Sequence, residues 1–275
     1  MLTNQMPAAV HATTVLDRTE PAPGIVLLGF YAPELAAVTR PGQFLMAIPP
    51  GGERTATALG IYEAQDRRVA VLFSVCGPRT RELAGLRAGD RLEVTAPLGN
   101  GFDLSGSPRD VAVVAGGIGI ASLLLPAQAL IASSARVRLY YGARSAALLV
   151  ERDRFAAEGC EIHCATDDGS YGRRGFVSGL LAGAEPRPDL VLACGPTPML
   201  RATAAACSAL GVPAQLSLEE TFACGVGGCW GCIVPIDRNS AQAPRFPGPD
   251  KGGSDTVNAR VCKEGPVFWA HELRW

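Results

Sequence analysis

The sequence predicts a protein of three parts: an antiparallel β-barrel, an α/β domain with a parallel sheet, and a small C-terminal domain with clustered cysteines. Three observations indicate this. Short β-prone runs fill the first hundred residues, strands then alternate with helix-like runs, and three of nine cysteines lie within nine positions near the C-terminus. The first two patterns are typical of known layer architectures. We place the domains at residues 1–104, 105–215 and 216–275.

The barrel is predicted from four short apolar runs, at residues 24–32, 42–48, 68–75 and 90–99. Turn signals such as Gly99–Asn100–Gly101 separate them. Short strands at this spacing favour a small antiparallel barrel.

The pattern changes after Asp110, where strands and helices alternate in a way that predicts a parallel sheet. A glycine turn and a helix candidate follow the first of these strands. The predicted strands are 111–115, 136–143, 161–168 and 189–196, and two further predicted helices are 146–158 and 197–211.

Composition gives no support for two classes of partner. A net charge of −1 and a pI near 6.3 give no electrostatic reason to expect nucleic acid or an anionic membrane. Residues 1–20 lack the basic start and apolar core of a signal peptide, so we expect a cytoplasmic protein. Because cytosolic thiols stay reduced, the cysteines favour metal binding or catalysis over a disulfide framework.

One segment is apolar enough to raise the question of a membrane span. Residues 111–135 contain no charge and are long enough to cross a bilayer. Gly116, Gly117, Gly119 and Pro126 interrupt the segment, however, and fit a strand, a turn and a helix better.

The clustered cysteines carry the most specific signal. Cys224, Cys229 and Cys232, with the distant Cys262, have the spacing of a plant-type [2Fe–2S] site. The intervening glycines allow backbone N–H groups to approach the sulfurs. A zinc site is the first alternative, although zinc ligands usually come as two close pairs. Unligated core or redox cysteines are the second.

A second candidate site follows the first strand of the sheet. Gly116, Gly117 and Gly119 form a turn whose N–H groups would face a pyrophosphate at a helix N-terminus. The turn is not a full G-x-G-x-x-G fingerprint, and no ribose-binding acid follows about twenty residues later. A close-packed turn between strand and helix is an equal alternative.

Cys194 and Gly195 end another strand of the same sheet. Ligands of open α/β sheets lie beyond the carboxyl ends of the strands, so these two residues would face a nicotinamide. The alternative is a small buried residue before a turn that begins with proline.

Two segments of the barrel half join an arginine to a hydroxyl. They are "RTAT", residues 54–57, and "GPRT", residues 77–80. Charge-assisted bonds from such groups suit a flavin pyrophosphate. Solvated surface arginines are the alternative.

The remaining cysteines (Cys76, Cys160, Cys164 and Cys207) are predicted to be buried small hydrophobes. The three histidines are scattered and indicate no nucleophile–histidine pair. We therefore assign no acid–base or nucleophilic catalytic residue.

Seven motifs together resemble the ferredoxin-reductase family and, within it, the electron-transfer subunits of NAD-dependent dihydroorotate dehydrogenases. The resemblance covers essentially the whole chain, and the last three motifs are the specific ones. In chain order they are "PGQF", "PLGNGF", "GGIG", "DDGSYGRRGFV", "CGPTPM", "SLEETFACGVGGCWGC" and "RVCKEGPVF".

The resemblance implies a flavin-binding barrel, an NAD-binding α/β domain and a [2Fe–2S] domain. Gly116, Gly117, Gly119, Cys194 and Gly195 would contact NAD. The implied FAD contacts are Arg54, Thr55, Ala56, Thr57, Gly77, Arg79 and Thr80, with Leu72, Phe73 and Ser74 along its ring or ribityl chain. The implied cluster ligands are Cys224, Cys229, Cys232 and Cys262.

The chain departs from the family pattern at three places. "RTAT" replaces the usual Arg-Pro-x-Ser of the flavin motif, although Thr57 keeps a hydroxyl. Ala115 replaces the first glycine of the nucleotide loop, and Ser122 stands where proline is common. The spacer between Cys232 and Cys262 is longer than expected.

The resemblance also implies a route for electrons in pyrimidine biosynthesis. An FMN-containing catalytic subunit would oxidise dihydroorotate to orotate, and two copies of each chain would form a heterotetramer. Electrons would pass singly through the cluster to FAD, which would deliver a hydride to NAD⁺. Trp230 would shield the iron or face the partner, or would be a plain exposed hydrophobe. Arg144 would contact a 2′-phosphate, or be solvated.

Rival functions remain at this point. The nearest is a reductase subunit that serves a hydrogenase, a sulfite reductase or a ferredoxin from NAD(P)H. A diaphorase without a fixed partner is another. A non-catalytic binding module stabilised by zinc differs most.

Overall fold

The computed structural model describes residues 8–50, 56–244 and 255–275. Arg54 and Thr55, two of the residues predicted to bind FAD, lie outside the described residues. Within these ranges the chain forms a closed six-stranded barrel, a seven-stranded sheet and a two-stranded hairpin. The predicted barrel and parallel sheet are therefore confirmed.

The barrel is antiparallel, in the order β1-β2-β5-β4-β3-β6. Its strands are β1 (Ala9–Ala22), β2 (Ile25–Tyr31), β3 (Phe44–Ile48), β4 (Thr57–Gln65), β5 (Arg68–Ser74) and β6 (Arg91–Leu98). Inward side chains such as Val26, Leu28 and Phe30 are fully buried and form its core. Two short helices accompany it, α1 (Pro33–Val38) and α2 (Pro78–Ala84).

Four of these strands were expected and two were not. β1 is mostly exposed and rich in threonine and charged residues, so it lacks an apolar run. β4 contains Gly60, where a Cβ atom would lie 2.6 Å from Oγ of Ser122. That glycine lets the glycine turn of the α/β domain lie against the barrel, at the cost of a clear strand pattern.

The second sheet has the order β10-β9-β8-β7-β11-β12-β15, with β15 antiparallel to its neighbour. The strands are β7 (Asp110–Gly116), β8 (Arg136–Ala143), β9 (Glu161–Thr166), β10 (Arg173–Arg174), β11 (Leu190–Cys194), β12 (Ala214–Ser217) and β15 (Val267–Trp269). The hairpin is β13 (Ile233–Asp237) with β14 (Thr256–Arg260). Because β12 spans the predicted boundary after residue 215 and β15 joins the sheet, the C-terminal segment is built into the α/β domain.

Helices cover the connections of this sheet. They are α3 (Leu124–Ala132), α4 (Arg152–Glu158), α5 (Ser178–Leu181) and α6 (Thr197–Leu210). The helix predicted over 146–158 is split by Glu151, whose φ is +57°, into a 3-10 turn and α4. The helix that was predicted to end at Gly211 does so, with that glycine at φ +64°.

The uncharged segment 111–135 folds as predicted into a strand, a glycine turn and a helix. It supplies β7, a 3-10 helix (Gly117–Ser122) and α3. Across the described ranges, we find no helix that combines the length and hydropathy needed to span a membrane.

Candidate functional site

Two clefts meet where the barrel contacts the α/β sheet. The barrel cleft has a volume of about 310 Å³ and lies against β3, β4 and β5. The sheet cleft, of about 680 Å³, lies at the carboxyl ends of β7, β8, β9 and β11. Ser74, Ile118 and Glu219 line both clefts. A ligand in one cleft would therefore lie next to a ligand in the other.

The barrel cleft collects several of the residues predicted to bind flavin. Thr57, Leu72, Phe73, Ser74 and Thr80 line it. Their burial differs, with Leu72 and Phe73 almost fully buried and Ser74 half-buried. These residues give the cleft an apolar wall that ends in a polar group.

Thr57 supplies the clearest sign that the barrel cleft receives a polar ligand. Its Oγ1 atom is buried and has no hydrogen-bond partner in the described part of the chain. Leaving a buried hydroxyl unpaired costs about 1–3 kcal/mol. A ligand oxygen in the cleft would remove this penalty.

The "GPRT" segment is the N-terminal turn of α2. The Thr80 hydroxyl accepts hydrogen bonds from the N–H groups of Cys76 and Gly77, both at 3.0 Å. Arg79 is exposed, and its Nη1 donates to the carbonyl oxygen of Ala56 at 3.3 Å. Thr80 thus shapes the turn, while Arg79 brings a positive charge near the start of β4.

Cys76 also lines the barrel cleft and is exposed. The prediction that it is a buried small hydrophobe is wrong, because it lies in the loop between β5 and α2 instead of in a strand or helix. The same prediction is confirmed for Cys160, Cys164 and Cys207, which are buried.

The glycine turn after β7 divides into two roles. Gly116 and Gly117 line the sheet cleft, and Gly117 has φ +52°. Gly119 instead packs against β11, where a Cβ atom would lie 2.4 Å from the carbonyl oxygen of Cys194. The turn is therefore open to a ligand at its start and close-packed at its end.

Cys194 lies behind the junction of the clefts. Its side chain is fully buried, and Sγ lies 3.9 Å from Oε1 of Glu219. Burial raises the pKa of the Cys194 thiol to about 12. The neighbouring position has little room for any residue larger than Gly195, because a Cβ atom there would lie 3.0 Å from the Cα of Gly116.

Glu219 was not among the predicted site residues. It is accessible through the clefts, yet their walls desolvate its carboxyl group and raise its pKa. It follows β12, and its signal in the sequence was the "SLEE" that precedes the cysteine loop. A perturbed acid at the meeting point of two clefts is a candidate functional group.

Asp167 is a second residue that the sequence analysis missed. It lines the sheet cleft at the end of β9, together with Arg144 at the end of β8. The backbone N–H of Asp167 bonds to the carbonyl oxygen of Ala143 at 3.1 Å, which fixes its position. Asp167 thus places a carboxylate at this edge of the sheet from one strand further along the chain than the expected position.

The four cysteines of the C-terminal segment lie as two pairs. Cys229 donates side-chain and backbone hydrogen bonds to Cys224, and the Cys262 backbone N–H donates to Sγ of Cys232 at 3.4 Å. Cys232 and Cys262 are buried, and Cys229 is exposed. No three His, Cys, Asp or Glu side chains in the described ranges are placed to hold one metal ion.

The surroundings of Cys224 and Cys232 favour thiolates. Hydrogen bonds from the Cys262 thiol and from backbone N–H groups lower the pKa of Cys232 to about 6, and the Cys262 pKa is raised in return. Although burial opposes it, N–H groups of Cys229, Val226 and Gly228 lower the pKa of Cys224 to about 7. Thiolates are the form in which cysteine binds metals.

Backbone conformation gives the loop its shape. Gly225 and Gly227 have φ +68° and +84°, and Trp230 has φ +56°. A Cβ atom at Gly225 would lie 2.6 Å from Cγ of Met46 in the barrel. The loop can therefore lie directly on β3 because this position is glycine.

The chain segments on either side of the four cysteines, before Cys224 and after Cys262, both reach the barrel cleft. Phe222, two residues before Cys224, lines that cleft and packs on Phe44 with ring centroids 4.9 Å apart. Pro266, four residues after Cys262, lines it as well. The cysteine loop and the barrel cleft are thus parts of one continuous site.

Comparisons with known proteins identify close relatives, although no family model matches the chain. The electron transfer subunit of dihydroorotate dehydrogenase B (NAD(+)) from Caldanaerobacter subterraneus is 36% identical over 233 residues, covering 85% of this chain and 86% of that one. The Listeria innocua subunit is 32% identical over 268 residues, covering 94% and 96%. A probable subunit from Methanothermobacter thermautotrophicus is 36% identical, covering 85% and 79%.

Solved structures show the same architecture. A chain of the NADH-dependent reduced ferredoxin-NADP oxidoreductase superposes with a TM-score of 0.82 at 25% identity, covering 96% of this chain and 90% of that one. A ferredoxin NADP⁺ reductase from Neisseria gonorrhoeae superposes with a TM-score of 0.64 at 19% identity, covering 74% and 93%. The second likeness concerns the fold alone.

Proposed function

Since this chain belongs to the family of electron transfer subunits of NAD(+)-dependent dihydroorotate dehydrogenase B, we propose that it passes electrons from an FMN-containing catalytic subunit through [2Fe–2S] and FAD to NAD⁺. One observation carries the proposal. The barrel cleft, the sheet cleft and the cysteine loop form one continuous site, with Glu219 where the clefts meet and Phe222 where the loop begins. Such contiguity is what a relay of electrons between three groups requires.

FAD fits the barrel cleft. The unpaired Oγ1 of Thr57 and the charge of Arg79 suit an anionic, oxygen-rich group at the start of β4. Leu72 and Phe73 supply an apolar wall for a flat ring, and Ser74 supplies a hydrogen-bonding group at its edge. The cleft volume of about 310 Å³ lies at the lower end of the range for ligand sites.

NAD⁺ fits the sheet cleft. Gly116 and Gly117 leave room for a phosphate, next to Pro196 and Met199 at the start of α6. Asp167 is placed to accept hydrogen bonds from ribose hydroxyls, the role that an acid plays in NAD sites. Arg144 stands beside it and would attract a phosphate on the same ribose.

A [2Fe–2S] cluster fits the four cysteines of the C-terminal segment 216–275, which joins the α/β sheet through β12 and β15. Each of two irons needs two thiolates, and the chain offers the pairs Cys224–Cys229 and Cys232–Cys262. Backbone N–H groups already point at Cys224 and Cys232. The donor set and its hydrogen bonds both suit a cluster with thiolate ligands.

The protein's own groups orient and protect these reactants. When bound, the nicotinamide exchanges a hydride, the cluster exchanges single electrons, and the flavin exchanges either. Glu219 binds a proton more readily than an ordinary glutamate and can present it at the junction of the clefts. Cys194 supplies a neutral thiol against that carboxyl group, and Gly195 keeps the space beside Gly116 open. Phe222 and Leu72 exclude water from the barrel cleft.

The exposed edge of the cysteine loop is the surface for the catalytic subunit. Val226 is 51% exposed, and Cys229 is exposed beside it. An exposed apolar residue next to a redox site suits a contact with a partner protein. We place the assembly, two copies of each subunit, in the cytoplasm and in pyrimidine biosynthesis.

Co-purification tests this function. The tagged chain is co-expressed with the dihydroorotate dehydrogenase catalytic subunit of the same genome, and the isolated complex is assayed for dihydroorotate oxidation by NAD⁺. We expect an FMN protein in the complex and NAD⁺-dependent activity that the catalytic subunit alone lacks. An inactive mixture, or recovery of a different redox partner, would contradict the proposal.

One alternative has an observation in its favour. The likeness to the NADH-dependent reduced ferredoxin-NADP oxidoreductase favours a reductase subunit that serves a ferredoxin. Reduction of ferredoxin by the purified chain with NADH, at a rate that dihydroorotate does not support, would establish this alternative.

A further inference from the structure

An ion pair lies next to the four cysteines. Arg260 ends β14 two residues before Cys262, and Glu264 follows two residues after it. Nε of Arg260 donates to Oε2 of Glu264 at 3.0 Å, and Nη2 donates to Oε1. The side chains are 19% and 12% exposed, so solvent screens the pair little.

Arg260 also contacts the cysteine loop at two points. Nη1 donates to the carbonyl oxygen of Gly227 at 2.8 Å. The guanidinium lies 4.4 Å from the centre of the Trp230 ring, within the range of a cation–π interaction. Gly227 and Trp230 flank Cys229 in the chain, so one side chain fixes the loop on both sides of that cysteine.

Glu264 connects Arg260 and the cysteine loop to the barrel. Its carboxylate accepts the backbone N–H of Arg260 at 2.8 Å. Its carbonyl oxygen accepts hydrogen bonds from Nδ2 of Asn100 at 2.6 Å and Nε2 of Gln242 at 2.9 Å. Asn100 follows barrel strand β6 by two residues. Pro266, two residues after Glu264, lines the barrel cleft.

We propose that Arg260 and Glu264 are positioning residues that form a charge-neutral clamp, which fixes the cysteine loop and sets the reduction potential of the cluster. The inference rests on the proposed function, because it requires the cluster to be present.

The physical argument concerns net charge. Reduction adds one negative charge to the cluster, so a nearby positive charge raises its potential and a nearby negative charge lowers it. In a partly buried site each charge acts more strongly than in water. Because Arg260 and Glu264 are paired, their effects oppose each other and the potential depends on both.

Three variants of the full chain test the clamp, by redox titration of the cluster followed by electron paramagnetic resonance. Arg260→Gln leaves the carboxylate unpaired and lowers the potential. Glu264→Gln leaves the guanidinium unpaired and raises it. The double variant returns it toward the wild-type value. A purely structural bridge would instead shift both single variants in the same direction.

A fourth variant separates charge from shape. Arg260→Lys keeps the positive charge but loses the planar fork and most of the contact with Trp230. We expect a potential near that of the wild type and faster loss of iron to a chelator. A positioning role predicts that Arg260→Gln also loses its cluster more readily. If that variant retains no cluster, an increase in the reduction potential of Glu264→Gln supports the clamp, and an unchanged or lower potential contradicts it.

The control is Arg68→Gln, which removes a partly buried arginine that pairs with Asp17 and Glu63 in the barrel. It should leave the potential unchanged. Wild-type protein without iron and sulfide would refute the proposed function itself. An intact cluster whose potential is the same in all variants would overturn the clamp alone.

Discussion

The two ends of the parallel sheet each hold an ionisable group, but the amino end encloses its group whereas the carboxyl end leaves its group open to two clefts. At the amino end, Arg138 is 1% exposed and donates to Oδ1 of Asp110 at 2.9 and 2.6 Å and to the carbonyl oxygen of Pro186 at 2.6 Å. At the carboxyl end, Glu219 faces two clefts, and its described partner is the neutral thiol of Cys194.

The difference separates groups that hold the fold from groups that are available for chemistry. Arg138 is charged, paired and enclosed, so its binding capacity is used within the protein. Glu219 has a raised pKa and an open cleft before it, which are the marks of a functional group. Burial of charge alone would have identified the wrong end of the sheet.

Arg138→Met should have the largest effect on stability. The change leaves Asp110 and the Pro186 carbonyl without their main partner inside the protein, and breaking a buried pair costs about 3–5 kcal/mol. Thermal unfolding measures the loss, and Arg136→Met is the matched control. Arg136 pairs with the same aspartate but is 47% exposed, so its loss should cost far less than the loss of Arg138. An equal loss of stability in Arg138→Met and Arg136→Met would contradict the structural role assigned to Arg138.

Glu219→Gln should have a large effect on turnover and a small effect on stability. It keeps the shape of the side chain but removes its proton exchange, so we expect turnover of NADH with an artificial electron acceptor to fall about 10²-fold. Stability should change by about 1 kcal/mol or less. Glu220→Gln is the control, because that residue lines the barrel cleft but does not line the sheet cleft. A similar loss of turnover in both variants would contradict the role of Glu219.

The smallest expected effect is on the pH dependence of stability. The pKa of Glu219 is raised in the folded state above its ordinary value of 4.5, so the folded chain binds the proton more tightly than the unfolded chain. The stabilisation that Glu219 contributes to the free energy of unfolding is complete below pH 4.5 and is lost as the pH rises through its folded-state pKa. Denaturant titrations at several pH values should show that this slope is weaker in Glu219→Gln than in the wild type. An unchanged slope would show that another group causes it.

The sequence predicted the elements whose patterns are local. The apolar runs of β7, β8 and β11 and the spacing of the four cysteines are visible without any structure. β1 was missed because a mostly exposed strand has no apolar run, and β4 was missed because Gly60 serves a contact with the distant Ser122.

The site followed the same rule. The cysteines and the turn at Gly116 were predicted as site residues from spacing. Asp167 and Glu219 were not predicted, because only β9 and β12 bring them to the same edge of the sheet as that turn. When the order of strands in a sheet brings together residues that are distant in the sequence, no local sequence pattern predicts the contact.

The most direct test of the central claim is analysis of iron, acid-labile sulfide and flavin in purified wild type, Cys229→Ser and Cys76→Ser. We predict a red-brown wild type with FAD and equal amounts of iron and sulfide. Cys229→Ser should lose the iron and sulfide and keep FAD, whereas Cys76→Ser, an exposed cysteine outside the loop, should keep its iron. A colourless wild-type protein that contains zinc would contradict the account.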